Sequence, residues 1–370
     1  MAQPRTPHKR KQKPILTWPD QTELLGLTLV LRPVEEIAIP PQYTTDLHSW
    51  FLDQVRRQDF ELSSYLHDGQ SEKPFTISAL QGSIQSQGRS RLLNPNQTYQ
   101  WTITALSQPV VAWLRQWLQA PPTEVTFRHG GVLRILDWEI SHTPTTYAQL
   151  LATPIPDPST VTLTFTSVTS FRHRGNHLPL PIPENMFHSY LRRWNHFSEQ
   201  VYEQEAFLAW VDRSVVVLRH QLQSSKVMAG KRGSVTGFTG AVQFGIAAAA
   251  RSDLEWVQLF MALGHLAPYA GTGHKTTFGL GQTQPGWSES APTSATVEDI
   301  LAQRIAELTA LFMAQRRRTG GDRASQIAQT WATILARREL GEGLAAIAQD
   351  LEMPYETVKT YVKLARKALK

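Results

Sequence analysis

Leu25, Leu27, Leu29 and Leu31 alternate with Gly26, Thr28 and Val30, and this period of two predicts a β-strand. Pro33 and then Pro40–Pro41 stop it. Leu47, Trp50, Phe51 and Val55 follow at helical spacing, with Thr44 or Thr45 as the expected N-cap. A shorter helical run, Phe60–Leu66, ends at His67. Strands are predicted around Phe75–Leu80 and over Tyr99–Ala105, where Tyr99, Trp101 and Ile103 share a face. Val110, Trp113, Leu114, Trp117 and Leu118 line one side of a helix that Pro121–Pro122 ends. Val125–His129 and Val132–Ile140 flank Gly130–Gly131 as hairpin arms. The order is β-α-β-β-α-β with one extra hairpin strand, the ferredoxin-like order.

The same order then repeats. A strand at Val161–Thr166 follows the Pro-rich loop 154–158, and a long helical stretch is expected from Glu184 to Asp212. Val215–Leu222 and Gly240–Ile246 read as strands, Leu254, Val257, Phe260 and Met261 as a helix face, and Thr276–Thr283 as the closing strand. Beyond Pro292 the pattern is entirely helical, over Val297–Arg317, Arg323–Arg338, Leu344–Leu351 and Tyr355–Leu369. The expected fold is therefore α+β, two tandem ferredoxin-like (RRM-like) domains followed by an all-α helix-turn-helix domain. Its parts are a basic tail at 1–19, domains at 20–150 and 160–288, and the helical domain at 294–370. On the last helix Val358, Tyr361, Val362 and Ala365 are expected to face inward. Lys359, Lys363, Arg366, Lys367 and Lys370 fall on the outer face. Ala346–Val362 resembles the carboxy-terminal module of sigma-type and response-regulator-type DNA readers. A helical cap that only packs is the plainer alternative.

Composition narrows the chemistry. The 370 residues include no cysteine, which excludes disulfides, thiolate metal sites and a cysteine nucleophile. No apolar run is long enough to span a bilayer and no apolar segment follows the basic amino end, so a cytoplasmic protein without membrane association is expected. The net charge of +6 is unevenly spread. Residues 1–19 hold five basic side chains and no acid, residues 294–370 hold 12 basic and 9 acidic, and the rest is net −2. Such basic ends attract nucleic-acid phosphates or simply solubilise the chain.

The sharpest local feature is Gly271-Thr-Gly273-His274-Lys275-Thr-Thr-Phe278-Gly279-Leu-Gly281. It is not a P-loop, because His274 intervenes between Gly273 and Lys275, and it follows a helix rather than a strand. By itself it reads as a tight turn or as backbone able to approach a ligand closely. Three further stretches accompany it: Tyr65-Leu-His67-Asp68 with Lys73-Pro-Phe-Thr-Ile-Ser78, then Thr164-Phe-Thr-Ser-Val-Thr-Ser-Phe171-Arg172, then Gly237-Phe-Thr-Gly240-Ala-Val. Together, in this order over about 20–285, they resemble the repeat-processing endoribonucleases of the RAMP superfamily of CRISPR-associated proteins.

The resemblance implies a metal-independent endoribonuclease that releases guide RNAs from CRISPR transcripts by 2′-OH attack, leaving a 2′,3′-cyclic phosphate. It needs no cofactor. Its partners would be repeat RNA, the processed guide and other subunits of an effector complex, with DNA as a candidate ligand of the helix-turn-helix. The resemblance makes His67 the first catalytic candidate, beside Lys73. The family's helix tyrosine falls at Leu52, which cannot move protons, so His48 and Ser49 on the same helix are its substitutes. Arg172, His173 and Arg174, with Gly271, Gly273, His274, Lys275, Gly279 and Gly281, are the RNA-binding candidates, and Lys359, Lys363, Arg366 and Lys367 the helix-turn-helix ones. His173 and His177 stand four apart, but Gly175 and Asn176 between them argue against a helical metal pair. The rival reading is a non-cleaving binder, either an effector subunit for repeat RNA or a DNA-binding regulator.

Overall fold

The computed structural model describes residues 18–67, 72–87, 90–128, 130–154, 159–228, 234–288, 297–314 and 322–369. The expected basic tail, apart from its last two residues, and Lys370 lie outside them. Trp18 is buried in the first core, with the Arg115 guanidinium 5.6 Å from the centre of its ring.

The first half runs β1 (Leu24–Pro33), β2 (Ile37–Ile39), α1 (Thr44–Gln58), α2 (Phe60–His67), β3 (Phe75–Ile77), β4 (Gln85–Gln87), β5 (Ser90–Leu93), β6 (Tyr99–Ala105), α3 (Gln108–Trp117), β7 (Glu124–Thr126), β8 (Val132–Thr145) and α4 (Tyr147–Ala152). The main sheet has the order β3-β6-β1-β8-β7, antiparallel throughout. Its first four strands form the ferredoxin-like sheet, and β7 is the extra hairpin arm. The four alternating leucines of β1 are fully buried, in one core with Leu47, Phe51 and Val55 of α1 and Trp113, Leu114 and Trp117 of α3. The opposite face is polar yet largely covered. Thr28 hydrogen-bonds Thr102 at 2.8 Å and Thr76 bonds Thr104 at 2.7 Å, while the Thr104 hydroxyl donates to the Tyr269 carbonyl of the second half at 2.6 Å. Alternation on β1 thus serves two interfaces, an apolar one to helices and a hydroxyl-lined one to the neighbouring domain. A small sheet, β2-β5-β4, has no counterpart in the sequence pattern.

The second half contains β9 (Thr160–Thr169), β10 (Phe171–His173), β11 (Asn176–Leu178), α5 (Pro183–Phe197), α6 (Gln204–Ser214), β12 (Val215–Met228), β13 (Ser234–Ile246), α7 (Leu254–Ala270) and β14 (Thr283–Pro285). Its sheet order β12-β13-β9-β14 is again ferredoxin-like. Two expectations change. The long helix breaks after Phe197, where Trp194 Nε1 donates to the Gln200 carbonyl and Asn195 bonds the Tyr202 backbone in both directions. Glu203 then caps α6 by accepting from the amides of Glu205 and Ala206. The closing strand shortens to Thr283–Pro285, because Thr276–Phe278 is a turn of 3₁₀-helix between left-handed Lys275 and Gly279, a backbone no strand adopts.

The helical end holds α8 (Val297–Ala314), α9 (Asp322–Glu339), α10 (Leu344–Asp350) and α11 (Tyr355–Ala368), close to the predicted bounds. Leu308, Phe312, Ala332, Leu335 and Ala365 form one small core, and Ile334, Ile347, Ala348, Val358 and Val362 another. Among the described residues no helix is long and apolar enough to cross a membrane.

Candidate active site

α1 buries Leu47, Phe51 and Val55 and thereby sends His48 toward the second domain. The helix starts after Tyr43, and no threonine hydroxyl caps it. The His48 ring stacks on Phe278 at 4.4 Å, and its Nδ1 lies 2.9 Å from the Thr277 carbonyl oxygen. A carbonyl only accepts, so Nδ1 carries the proton and Nε2 keeps its lone pair. Burial lowers the His48 pKa to about 4, with the nearby His67 and Lys73 acting in the same direction. The imidazole is therefore neutral at pH 7, in one tautomer, with a defined proton-accepting atom.

A cleft of about 960 Å³ brings His48, Ser49, Leu52, His67, Arg128 and Phe278 together. His67 is exposed at the end of α2. Ser49 Oγ donates to the Thr45 carbonyl at 2.8 Å and accepts from Arg128 at 2.9 Å, so the hydroxyl positions a cation. Arg128 is absent from the sequence candidates. Its only signal was an arginine beside the Gly130–Gly131 turn, which carries no chemistry until the hairpin is folded over α1.

The glycine loop holds the other side of His48. Gly271, Gly273, Gly279 and Gly281 have φ between 63° and 82°, where side chains are strained. All four are buried, and the amides of Gly271, Gly273 and Gly281 donate to Ala267, Ser189 and Val168. Their task is architectural. A Cβ on Gly279 would lie 3.0 Å from Ala79 N and from a Thr44 methyl, so this glycine permits the loop to dock on the first domain. Arg193 of α5 is buried despite its charge. It donates to the carbonyls of Gly271 and Gly273 and to Thr276 Oγ1. Glu72, just before Lys73, pairs with Arg192 at 2.7 Å and faces Arg193 at 3.9 Å.

Arg172, His173 and Arg174 sit exposed on the β10–β11 hairpin, with Arg174 in the left-handed turn. His274 donates from Nδ1 to the Ser170 carbonyl and stacks on His177, and the positive charge of Arg172 acts on both rings. Arg172, His177, His274 and Lys275 thus cluster behind the loop, where burial lowers the pKa of both imidazoles. Among the described residues no group of three or more His, Asp and Glu side chains could hold a metal ion.

Burial drives His48, His142 and His274 each to about 4, whereas an unfolded histidine titrates near 6.5. Between those values the unfolded chain binds more protons, so stability is complete above about pH 6.5 and falls as pH drops toward 4. Thermal melts should show Tm decreasing steadily from pH 7 to pH 5. A flat profile over that range would contradict the buried neutral histidines.

Two ferredoxin-like domains thus meet at a glycine-rich loop of the second, with histidines and cations around the contact. The model of CRISPR-associated endoribonuclease Cas6 matches residues 163–283 and that of the CRISPR Cas6 N-terminal domain matches 25–121, together more than half of the chain. The chain belongs to the Cas6 family of CRISPR-associated endoribonucleases. Among solved structures it is similar to a Cas6 (TTHB231) product complex, at 24% identity and a TM-score of 0.60 over 72% of this chain and 100% of that one. The same Thermus thermophilus protein alone matches at 23% and 0.55, covering 72% and 99%. A Cas6 (TTHA0078) product complex matches at 25% and 0.54, over 71% and 99%. A Cas6-related protein from Pyrococcus furiosus shares the fold at 10% identity and 0.51, over 72% and 100%. No curated protein matches the chain.

Proposed function

We propose that this chain cuts CRISPR precursor transcripts within their repeats, using the RNA's own 2′-OH as nucleophile. The observation that carries the reading is the Nδ1–H bond from His48 to Thr277, which leaves Nε2 as the acceptor in a cleft shared with His67. In the reaction His48 Nε2 takes the 2′-OH proton as the oxygen attacks the adjacent phosphorus. An RNA phosphate beside the ring favours the imidazolium and raises its pKa from the resting value. Arg128 and Lys73 stabilise the charge that builds on the phosphoryl oxygens. His67 gives a proton to the departing 5′-oxygen, so the products are a 2′,3′-cyclic phosphate and a 5′-OH. Since the attacking oxygen belongs to the substrate, the scheme requires no metal-activated water.

Arg172, His173, Arg174 and Lys275 would bind RNA phosphates outside the cleft, and His274, whose Nδ1–H is taken by the Ser170 carbonyl, would hold the loop beside them. Gly271, Gly273, Gly279 and Gly281 would contribute by holding those side chains in place. The processed guide RNA is the retained product, with other effector subunits as its onward partners. A similar Cas6 has been solved as a product complex, which supports product retention as a reading for this chain.

The test uses end-labelled repeat RNA under single-turnover conditions with excess EDTA. Cleavage should persist, and a substrate with a 2′-deoxy sugar at the scissile position should bind but stay intact. Cleavage of the deoxy substrate, or loss of activity with EDTA, overturns the mechanism. Tight binding without any cleavage would favour a non-cleaving effector subunit.

A further inference from the structure

The helical extension lies beyond both family matches, the later of which ends at residue 283. Its charge is sorted by helix. Arg304 pairs with Glu307 and Glu339, Arg337 with Glu342 and Asp350, and Arg338 donates to the Glu342 carbonyl. Acids of the domain thus neutralise Arg304 of α8 and Arg337 of α9. On α11 the one acid is Glu356, which pairs with Lys359. Lys363, Arg366 and Lys367 are exposed and have no ion pair among the described residues.

The shape of this charged surface is equally specific. Glu352 turns the chain through a left-handed φ of 52°, and Pro354 opens α11. Val358 and Val362 then seat the helix on Ile334, Ile347 and Ala348, so its other side projects from the domain. Lys359, Lys363 and Lys367 recur every four residues along that side. At 1.5 Å rise per residue the stripe is about 12 Å long. Tyr355, Glu356 and Thr360 stand exposed on the first turns.

The geometry points to duplex DNA as the ligand of α11. A projecting helix enters the major groove of B-form DNA, whereas the deep, narrow major groove of an A-form RNA duplex does not admit one. In this docking Lys363, Arg366 and Lys367 meet phosphates. Tyr355, Glu356, Lys359 and Thr360, near the helix start, face base edges, where a carboxylate accepts from cytosine and a lysine donates to guanine. The inference rests on the helical domain alone and is independent of the ribonuclease reading.

Fluorescence anisotropy of the full chain with a 20-base-pair random-sequence DNA duplex tests it, beside an RNA duplex of equal length and single-turnover repeat cleavage. DNA binding should exceed RNA-duplex binding and weaken steeply with salt. Lys363→Ala with Lys367→Ala should lower DNA affinity roughly tenfold and flatten the logarithmic salt slope by about two. Tm and repeat cleavage should not change. Selection from randomised duplexes should return a motif that Glu356→Ala alters. Equal binding of both duplexes, or DNA binding indifferent to the double substitution, overturns the inference. Slower repeat cleavage in that variant would assign the face to the RNA site instead.

Discussion

His48→Ala should slow single-turnover cleavage of repeat RNA by about 10²–10⁴-fold, the range for one proton-transfer group. Repeat affinity should change little, because one neutral imidazole adds little to binding dominated by phosphates. The structure gives His48 a held tautomer and a neutral ring, both of which a general base needs. His67 lines the same cleft and is expected to matter as the acid on the leaving oxygen. His67→Ala tests that half separately. Full activity in His48→Ala with complete loss in His67→Ala would remove His48 from the chemistry and leave His67 as the proton-transfer group. His48→Gln guards against a folding artefact, since an amide N–H can still reach the Thr277 carbonyl but cannot serve as the base. It should therefore keep the thermal stability and not the rate.

Gly273→Val should lower both Tm and cleavage. Position 273 sits at φ +76°, and a Cβ there would come within 2.3 Å of the Ser170 carbonyl oxygen. Backbone cannot yield as a side-chain tip does, so the loop must shift. Left-handed strain alone costs about 1–3 kcal/mol, and with the clash a Tm drop of roughly 5–10 °C is expected. Because the loop presents the Thr277 carbonyl to His48, cleavage should fall in the folded fraction too. Gly286→Ala is the matched control. Its φ is +83° with open space around it, so it should lose only the strain. A Gly273→Val protein with unchanged Tm and weakened RNA affinity would show instead that the loop backbone touches RNA directly.

Period-two alternation at Leu25–Leu31 and helical spacing at Leu47–Val55 made the first domain legible, because each pattern reports burial on one face of one element. The helical end was legible for the same reason, its glycines and Pro354 falling at the breaks. The break at Ser198 was not, since Trp194, Asn195 and Tyr202 hold it through side-chain bonds that have no period. Beyond Leu222 the second hairpin was missed as well. Gln223–Lys226 are polar and break the apolar alternation, and pairing with β13 carries the strand past them to Val227, which is buried with Val168, Val235 and Leu280.

The candidate site divides in the same way. Sequence by itself determined the two repeated folding units, the helical extension and the residue types available for proton transfer, because these depend on local spacing and side-chain chemistry. Tertiary structure alone decided which histidine is held, where Arg128 falls, and that Arg193 is an internal brace rather than surface charge. Each of those depends on groups far apart in the chain: His48 on Thr277, Ser49 on Arg128, and Arg193 on Gly273. The His48 tautomer is fixed by the Thr277 carbonyl of the other domain, while Phe278 from that domain and Phe75 from its own wall the ring.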